Sequence, residues 1–308
     1  MGRRRRGRDI HGWLVVDKPA GMTSSDVVNR VRRLFDARKV GHGGTLDPLA
    51  TGLLPLAFGE ATKTVSYVMD GIKQYSFTVK WGEARATDDA EGDVVATSPN
   101  RPTRDAIEAA LPAFIGEIEQ VPPAYSAIKV DGARAYDLAR ADKPVELKPR
   151  TIWVEDFRLE EVLDSNQAAF SVVSGKGAYM RGLARDLARK LGTEGHIVAL
   201  RRTRIGPFCE ADAFSLDKLE QLGHIAPAED LLRPVQDALD DIPALDLTED
   251  EARRLRCGQP VSALQVARRK SLRDIDQGAV VCAMTEGRPV ALASFEGGEI
   301  RPVRVLNL

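Results

Sequence analysis

Hydrophobic and polar positions along the chain switch between two periods, and the switches mark the elements. WLVVDKPAGMTSSD (13–26) reads as an apolar strand, a Pro-Gly turn and a helix start, with Ser24 or Ser25 as the cap. The helix carries Val27, Val28, Val31, Leu34 and Phe35 at helical spacing, with Arg30, Arg32 and Arg33 elsewhere on its surface. Gly41–Gly44 reads as a glycine-rich loop, LLPLAF (53–58) as a strand and EATKTVSYVM (60–69) as a helix. KQYSFTVKW (73–81) alternates with period two. Tyr75, Phe77, Val79 and Trp81 share one face and Ser76, Thr78 and Lys80 the other, the pattern of a half-buried strand. Residues 85–93 read as an acidic loop, and Thr103 as the cap of a helix reaching about Ala113.

In the second half a short helix is expected to end near Arg140, and TIWVEDFRL (151–159) and AAFSVVS (168–174) are expected strands. YMRGLARDLARKLG (179–192) has helical period, with Met180, Leu183, Leu187 and Leu191 inward. Several strands are adjacent in sequence, which favours an α+β fold with a mixed, mainly antiparallel sheet and flanking helices over a doubly wound parallel one. An acidic, Pro-containing stretch near 234–246 looks like a boundary. Beyond it come a helix, EDEARRLRCG (249–258), and strand-like AVVCAMT, PVALASF and RPVRVLNL, suggesting a small β-rich module. The expected organisation is a flexible basic arm (1–11), a large domain (12–243) and the small module (244–308).

Composition narrows the class. The 308 residues are 43% hydrophobic and 29% charged, enough for a sizeable core. No apolar run approaches the roughly 20 residues that span a bilayer, and the basic start lacks the apolar stretch of an export signal, so a cytoplasmic protein that stays out of the membrane is expected. Cys209, Cys257 and Cys282 are widely spaced, with no CxxC pair, so neither a zinc site nor a disulfide framework is suggested. The net charge of −1 conceals an uneven distribution. Residues 1–44 hold 11 Lys or Arg against 4 Asp, and residues 236–251 hold seven acids and no base. Phosphate binding depends on such local density, although charge runs are also ordinary solvated faces.

Several chemistries are set aside by motif. GxxxxGK[ST], GxGxxG, HExxH and the PCxxC of zinc deaminases are all absent. The most unusual segment is Gly41–Gly52, with four glycines, His42, Asp47 and Pro48 between apolar elements. Its glycines permit close backbone approach, so a nucleotide could lie against the main chain. Asp47 before Pro48 is also the pattern of a helix N-cap with proline in the first turn, and spacing alone leaves both readings open. His42 is either a functional or a surface histidine. Arg181, in the first turn of its helix, opposes the helix dipole, so either solvent or a carboxylate or phosphate must favour it. Tyr75 reads as core or as a site residue. Lys129 and Arg134 reach phosphates or solvent, and Arg201, Arg202 and Arg204, beside a Gly-Pro turn, are better candidates for nucleic-acid backbone contacts.

GHGGTLDPLATGLLPLAFGEATK (41–63) closely resembles the catalytic motif of the TruB family of bacterial tRNA pseudouridine-55 synthases. Further segments resemble the family in the same order: GWLVVDKPAGMTSSDVV, KQYSFTVKWG, VPPAYSAIKVDGARAYDLAR, SGKGAYMRGLARDLA and GHIVALRRTRIGPF, spanning about residues 12–210. LTEDEARRLRCGQPV and RPVRVLNL resemble, less specifically, the small PUA-type RNA-binding module of many bacterial members. The resemblance implies a pseudouridine synthase fold and isomerisation of the T-loop uridine at position 55 of tRNA. It implies Asp47 as the essential, nucleophilic carboxylate, Tyr75 as the tyrosine that stacks on the target base, and Arg181 as the partner of the aspartate. It implies substrate contacts at His42, Gly43, Leu200, Lys18, Tyr179, Lys129 and Asp89, a monomer, the tRNA T-arm as partner, and no cofactor or metal. The chain departs from the family's usual TDT triplet at Arg85, Ala86 and Thr87.

The implied reaction breaks N1–C1′, turns the base and joins C5 to C1′, so a carboxylate, a proton acceptor and an extruded base suffice. Two other readings compete: a noncatalytic RNA-binding or tRNA-folding protein on the same scaffold, and the catalytic subunit of a guide-RNA-dependent pseudouridylase.

Overall fold

The computed structural model describes residues 7–126, 129–130, 133–134, 147–223, 227–269 and 275–308. The expected helix near Arg140 lies outside them. The first half begins with β1 (Gly12–Lys18), α1 (Ser24–Leu34), β2 (Val40–His42), β3 (Thr51–Phe58), α2 (Val65–Asp70) and β4 (Lys73–Trp81). A small hairpin, β5 (Glu83–Arg85) and β6 (Val94–Thr97), leads to α3 (Arg104–Ala110) and β7 (Gly116–Gln120). A second small pair, β8 (Lys129–Val130) with β9 (Ala133–Arg134), precedes the long hairpin β10 (Arg150–Asp164) and β11 (Gln167–Ser174). Then come α4 (Met180–Lys190), β12 (Gly195–Ile205), β13 (Phe208–Cys209), β14 (Ala213–Ser215) and α5 (Leu216–Gly223).

The main sheet has ten strands. Eight run in the order β14-β1-β3-β12-β4-β11-β10-β7, with β2 paired to β3 and β13 to β12. Only β1–β14 and β3–β12 are parallel, so the sheet is mixed and mainly antiparallel, as the adjacency of the strands predicts. Its two halves differ in burial, and the sequence pattern follows. Along β1 and β3 successive residues enter opposite cores. Leu14, Val16, Leu54 and Leu56 face the large core, and Trp13, Val15, Leu53 and Ala57 face a second one. A strand covered on both faces reads as an unbroken apolar run. Strand β4 is covered on one face only, and Phe77, Val79 and Trp81 are buried while Gln74 and Ser76 are exposed.

Local corrections have local causes. Thr23, not Ser24 or Ser25, caps α1, in a capping box with Asp26. The segment read as one helix over 60–69 is a 3-10 turn (Gly59–Lys63) followed by the short α2. Gly41 and His42 of the expected glycine loop already pair with β3. Residues 7–11 of the expected arm are packed: Arg8 pairs with Glu229 at 2.6 Å, Ile10 is buried, and His11 Nδ1 accepts from the Glu60 amide.

The second sheet comprises β15 (Ala244–Asp246), β16 (Val261–Ser262), β17 (Val280–Thr285), β18 (Arg288–Glu296) and β19 (Glu299–Val305), in the order β15-β17-β18-β19-β16. It carries α6 (Glu249–Arg256) and α7 (Ala263–Ala267) and has its own apolar core. It is also tied to the first body. Leu306 enters the core around Trp13. Lys63 Nζ donates to the Val305 carbonyl at 2.7 Å, and the Asn307 amide donates to Glu60 at 2.8 Å. No helix among the described residues is long and apolar enough to cross a membrane.

Candidate active site

Strand β12 runs along nearly all of β4 but meets β3 at only two register pairs, Arg201–Thr51 and Arg202–Gly52. The approach is close. A side chain on Gly52 (φ +94°) would meet the Arg202 carbonyl at 2.3 Å, so glycine is required there. The loop that enters β3 at this point is residues 43–50, and Asp47 is on it.

That loop is anchored on both sides of Asp47 by the segment joining β1 to α1. Buried Ser24 Oγ accepts from the Leu46 amide at 2.8 Å and donates to the Leu46 carbonyl at 3.1 Å. The Pro48 carbonyl accepts from the Gly21 amide at 2.8 Å and from Lys18 Nζ at 3.2 Å. Lys18 also donates to the carbonyls of Pro19 and Met22. Its burial pulls the ammonium down to about 8, a shift that Asp47 and Glu91 oppose. Lys18 is fully covered and, through the Pro48 carbonyl, holds the Asp47 loop. No helix follows Pro48. The capping reading of Asp47 is therefore overturned, and its carboxylate is available for another partner.

That partner is Arg181, whose Nε donates to Asp47 Oδ2 at 2.9 Å. Its other donors are also committed, Nη1 to the Thr87 carbonyl at 2.7 Å and Nη2 to the Tyr125 carbonyl at 2.8 Å. The guanidinium side chain is 4% exposed and the Asp47 side chain 34%, so the carboxylate faces outward with the cation behind it. Asp89 is the second carboxylate of this group, 3.6 Å from Arg181 Nε. It is buried and accepts from Thr87 Oγ1 and the Glu91 amide. The departure from the TDT triplet therefore leaves Thr87 in use, its carbonyl on Arg181 and its hydroxyl on Asp89.

Tyr75 is half-buried and is the register partner of Arg202, just as Phe77 is of Leu200. Arg202 was expected at a phosphate. It is instead 2% exposed, donating to the carbonyls of Leu53 and Gly44 and interacting with Tyr75. Burial lowers its affinity for its proton, and Tyr75 opposes that shift. Arg201 is also committed, bidentate to Asp17 at 2.9 and 3.0 Å with Glu210 at 2.7 Å.

Leu200 is buried in the large core, with its carbonyl accepting from Thr51 Oγ1. Tyr179 precedes α4, its phenol pushed up by burial and by the charge of Asp47. Gln120 pairs with both its amide and its carbonyl, at 2.9 and 3.0 Å, and fixes the helix start. His42 is half-buried at the end of β2. Gly43 is buried, and a side chain there would press on Val68 and Trp13. The side chain of Lys129 lies outside the described residues. Among the described residues no cluster of His, Cys, Asp or Glu could hold a metal ion.

Sequence reasoning missed Ser24 as an anchor, Gln120, and the buried role of Arg202. The last was visible in principle, since Arg202 is two residues from Leu200 on one strand and so shares its inward face.

The fold aligns with Cbf5 in a solved Cbf5–Nop10–Gar1 complex at TM-score 0.74 and 26% identity, covering 96% of this chain and 85% of that one. A solved H/ACA RNP bound to a substrate RNA containing 2′-deoxyuridine aligns at 0.72 and 22% identity, covering 96% of this chain and 85% of that one, a likeness of fold alone. With the Asp–Arg pair at the parting of the sheet, this is the pseudouridine synthase fold. Residues 32–180 match the TruB family pseudouridylate synthase N-terminal domain, and residues 181–241 the tRNA pseudouridylate synthase B C-terminal domain. Relatives called tRNA pseudouridine synthase B are 62% identical in Rhodospirillum rubrum, over the whole of both chains, and 59% identical in Gluconacetobacter diazotrophicus, over 99% of this chain and all of that one. The chain belongs to the TruB family. The 180/181 division between the two matches is not a structural one, since β12 of the second part is a central strand of the sheet built by the first.

Proposed function

We propose that the protein converts uridine to pseudouridine in tRNA, acting on the T-loop uridine at position 55. The observation that carries this reading is the outward-facing Asp47 carboxylate, held at 2.9 Å by the buried Arg181. The target base is extruded from the folded T-arm to reach it. Asp47 acts as the nucleophile: it bonds to the nucleotide, N1–C1′ breaks, the base turns, and as C5 bonds to C1′ the bond to Asp47 is released and the carboxylate is regenerated. The proton on C5 leaves and N1 gains one, so the reaction balances without an oxidant or donor. Tyr75 stacks on the base and takes part in the proton transfer, a stacking contact worth roughly 1–3 kcal/mol. His42, Leu200 and Tyr179 contact the extruded nucleotide, and Lys129 contacts the RNA.

The division of labour follows the two sheets. Residues 12–243 form the catalytic domain, and residues 244–308 a PUA-type RNA-binding module. The protein acts as a cytoplasmic monomer. Exposed Arg32 and Arg33 of α1 grip the phosphates of the T-arm. A noncatalytic RNA-binding role is disfavoured by the geometry, because a protein that only binds RNA has no use for a carboxylate on a loop anchored by Ser24 and Lys18 beside a guanidinium fixed by the Thr87 and Tyr125 carbonyls. Full-length similarity to proteins called tRNA pseudouridine synthase B, against 26% identity to Cbf5, disfavours the guide-RNA-dependent reading. The test is incubation with an unmodified T-arm transcript. Pseudouridine at the T-loop uridine is expected, and its absence where RNA binds would overturn the proposal.

A further inference from the structure

Helix α4 carries a second arginine one turn beyond Arg181, and i and i+4 side chains lie on the same helix face. The Arg185 side chain is 11% exposed and makes a set of contacts parallel to those of Arg181. Its Nη1 donates to Asp88 Oδ2 at 2.8 Å and its Nη2 to the Val121 carbonyl at 2.7 Å. Arg181 holds the Thr87 and Tyr125 carbonyls. Each arginine therefore bridges the same two segments, residues 87–89 and residues 121–125. Nε of Arg185 is spent on Asp186 at 2.9 Å, so all of its donor edges are committed.

Asp88 is the hinge of the first segment. It has φ +60°, a left-handed conformation that costs a non-glycine residue free energy and persists where surroundings enforce it. Its carbonyl accepts from the Ile197 amide of β12, its amide donates to Arg85, and its carboxylate meets Arg185. Its two neighbours are Thr87, whose carbonyl holds Arg181, and Asp89, the second carboxylate beside Arg181. Fixing Asp88 fixes both. Neither Arg185 nor Asp88 is hydrogen-bonded to Asp47 among the described residues, and the path they share to it runs through Arg181 by way of the Thr87 and Tyr125 segments.

We propose that Arg185 and Asp88 form a positioning pair that aims the Arg181 guanidinium at Asp47. The inference rests on the pseudouridine synthase reading above. Without the pair, residues 87–89 and 121–125 lose their shared tether, and Arg181 has mobile carbonyls to align on. A displacement of about 1 Å at a catalytic group can cost on the order of 100-fold in rate.

The experiment measures single-turnover pseudouridine formation on a T-arm transcript, RNA Kd and Tm for the wild type and for Arg185→Ala, Arg185→Lys, Asp88→Ala, Asp88→Gly and the double alanine variant. Glycine at 88 tolerates the left-handed backbone, so this variant removes the carboxylate without strain. The expected result is a rate at saturating RNA lowered roughly 10–100-fold in each alanine variant and in Asp88→Gly. RNA Kd stays within about threefold of the wild type, and the double variant is no slower than the slower single one. Arg185→Lys, which keeps the ion pair and loses the Val121 contact, falls between. Rates within about twofold of the wild type, losses that multiply in the double variant, or losses that track the unfolded fraction would each overturn the pair's role. A wild type that makes no pseudouridine would instead refute the underlying functional reading.

Discussion

Replacing Arg181 with lysine separates the geometry of the cation from its charge. The guanidinium serves Asp47, the Thr87 carbonyl and the Tyr125 carbonyl from three nitrogens at 2.7–2.9 Å. A lysine carries all its donors on one nitrogen and has no planar fork, and the three acceptors are disposed around three separate guanidinium nitrogens, so a single ammonium keeps one of these partners in place and releases two. Hydrogen bonds to charged groups contribute about 1.5–3 kcal/mol each, so the gross loss is roughly 3–6 kcal/mol. The site is partly open, and water recovers some of this at the carbonyls. A residual of about 3 kcal/mol expressed in the transition state corresponds to a rate loss of roughly 100-fold. The assay is release of tritium from C5 of labelled uridine in a T-arm transcript, under single-turnover conditions, with RNA Kd measured in parallel. The charge is retained, so Kd is expected to stay near the wild-type value. A rate within about threefold of the wild type, or ~0.7 kcal/mol, would refute the argument that the fork is needed.

Other outcomes follow from the same contacts. Ser24→Ala leaves the buried Leu46 amide and carbonyl without their partner, at a cost of about 2–3 kcal/mol, and loosens the Asp47 loop. Both Tm and single-turnover rate are expected to fall, and a change in neither would contradict the anchoring role. Lys18 and Lys73 titrate near 8 when folded because burial disfavours their charge, against 10.5 otherwise. Between about pH 8 and 10.5 the folded chain therefore binds fewer protons than the unfolded one, and the contribution of these lysines to stability rises with pH. Urea unfolding at pH 8 and pH 10 is expected to show a smaller gain in Lys18→Met/Lys73→Met than in the wild type, and an equal gain would rule this out. Leu306→Ala opens a cavity in the core around Trp13 and is expected to cost about 2–4 kcal/mol and to loosen the second sheet from the first. Thermal unfolding read separately by near-UV and far-UV signals tests this, with coincident, unshifted transitions as the contrary result.

The elements were legible where one physical cause controls the pattern. The alternation from Tyr75 to Trp81 follows from a strand buried on one face, and the unbroken LLPLAF follows from one buried on both. Local rules failed where tertiary contacts override them. Ser24 has the residue type of a cap, but it is buried against Leu46 and the cap passes to Thr23. Arg202 has the charge of an RNA contact, yet its register beside Tyr75 turns it inward. Of the site, Asp47 and Arg181 are 134 positions apart, and nothing in their spacing brings them together. The resemblance supplied that pairing in the sequence, and the geometry supplied its reason, a loop that enters no helix and a helix start aimed at it. The tight packing at Gly43 was not legible, since a glycine spared for packing and one spared for a ligand look alike until the neighbours are placed.

The most direct test of the central claim compares wild type and Asp47→Asn on one unmodified T-arm transcript, with pseudouridine mapped nucleotide by nucleotide and RNA binding measured on the same preparations. The account predicts stoichiometric modification of the T-loop uridine by the wild type, none by Asp47→Asn, and similar RNA affinity for both. Turnover by Asp47→Asn at a rate near that of the wild type would contradict it.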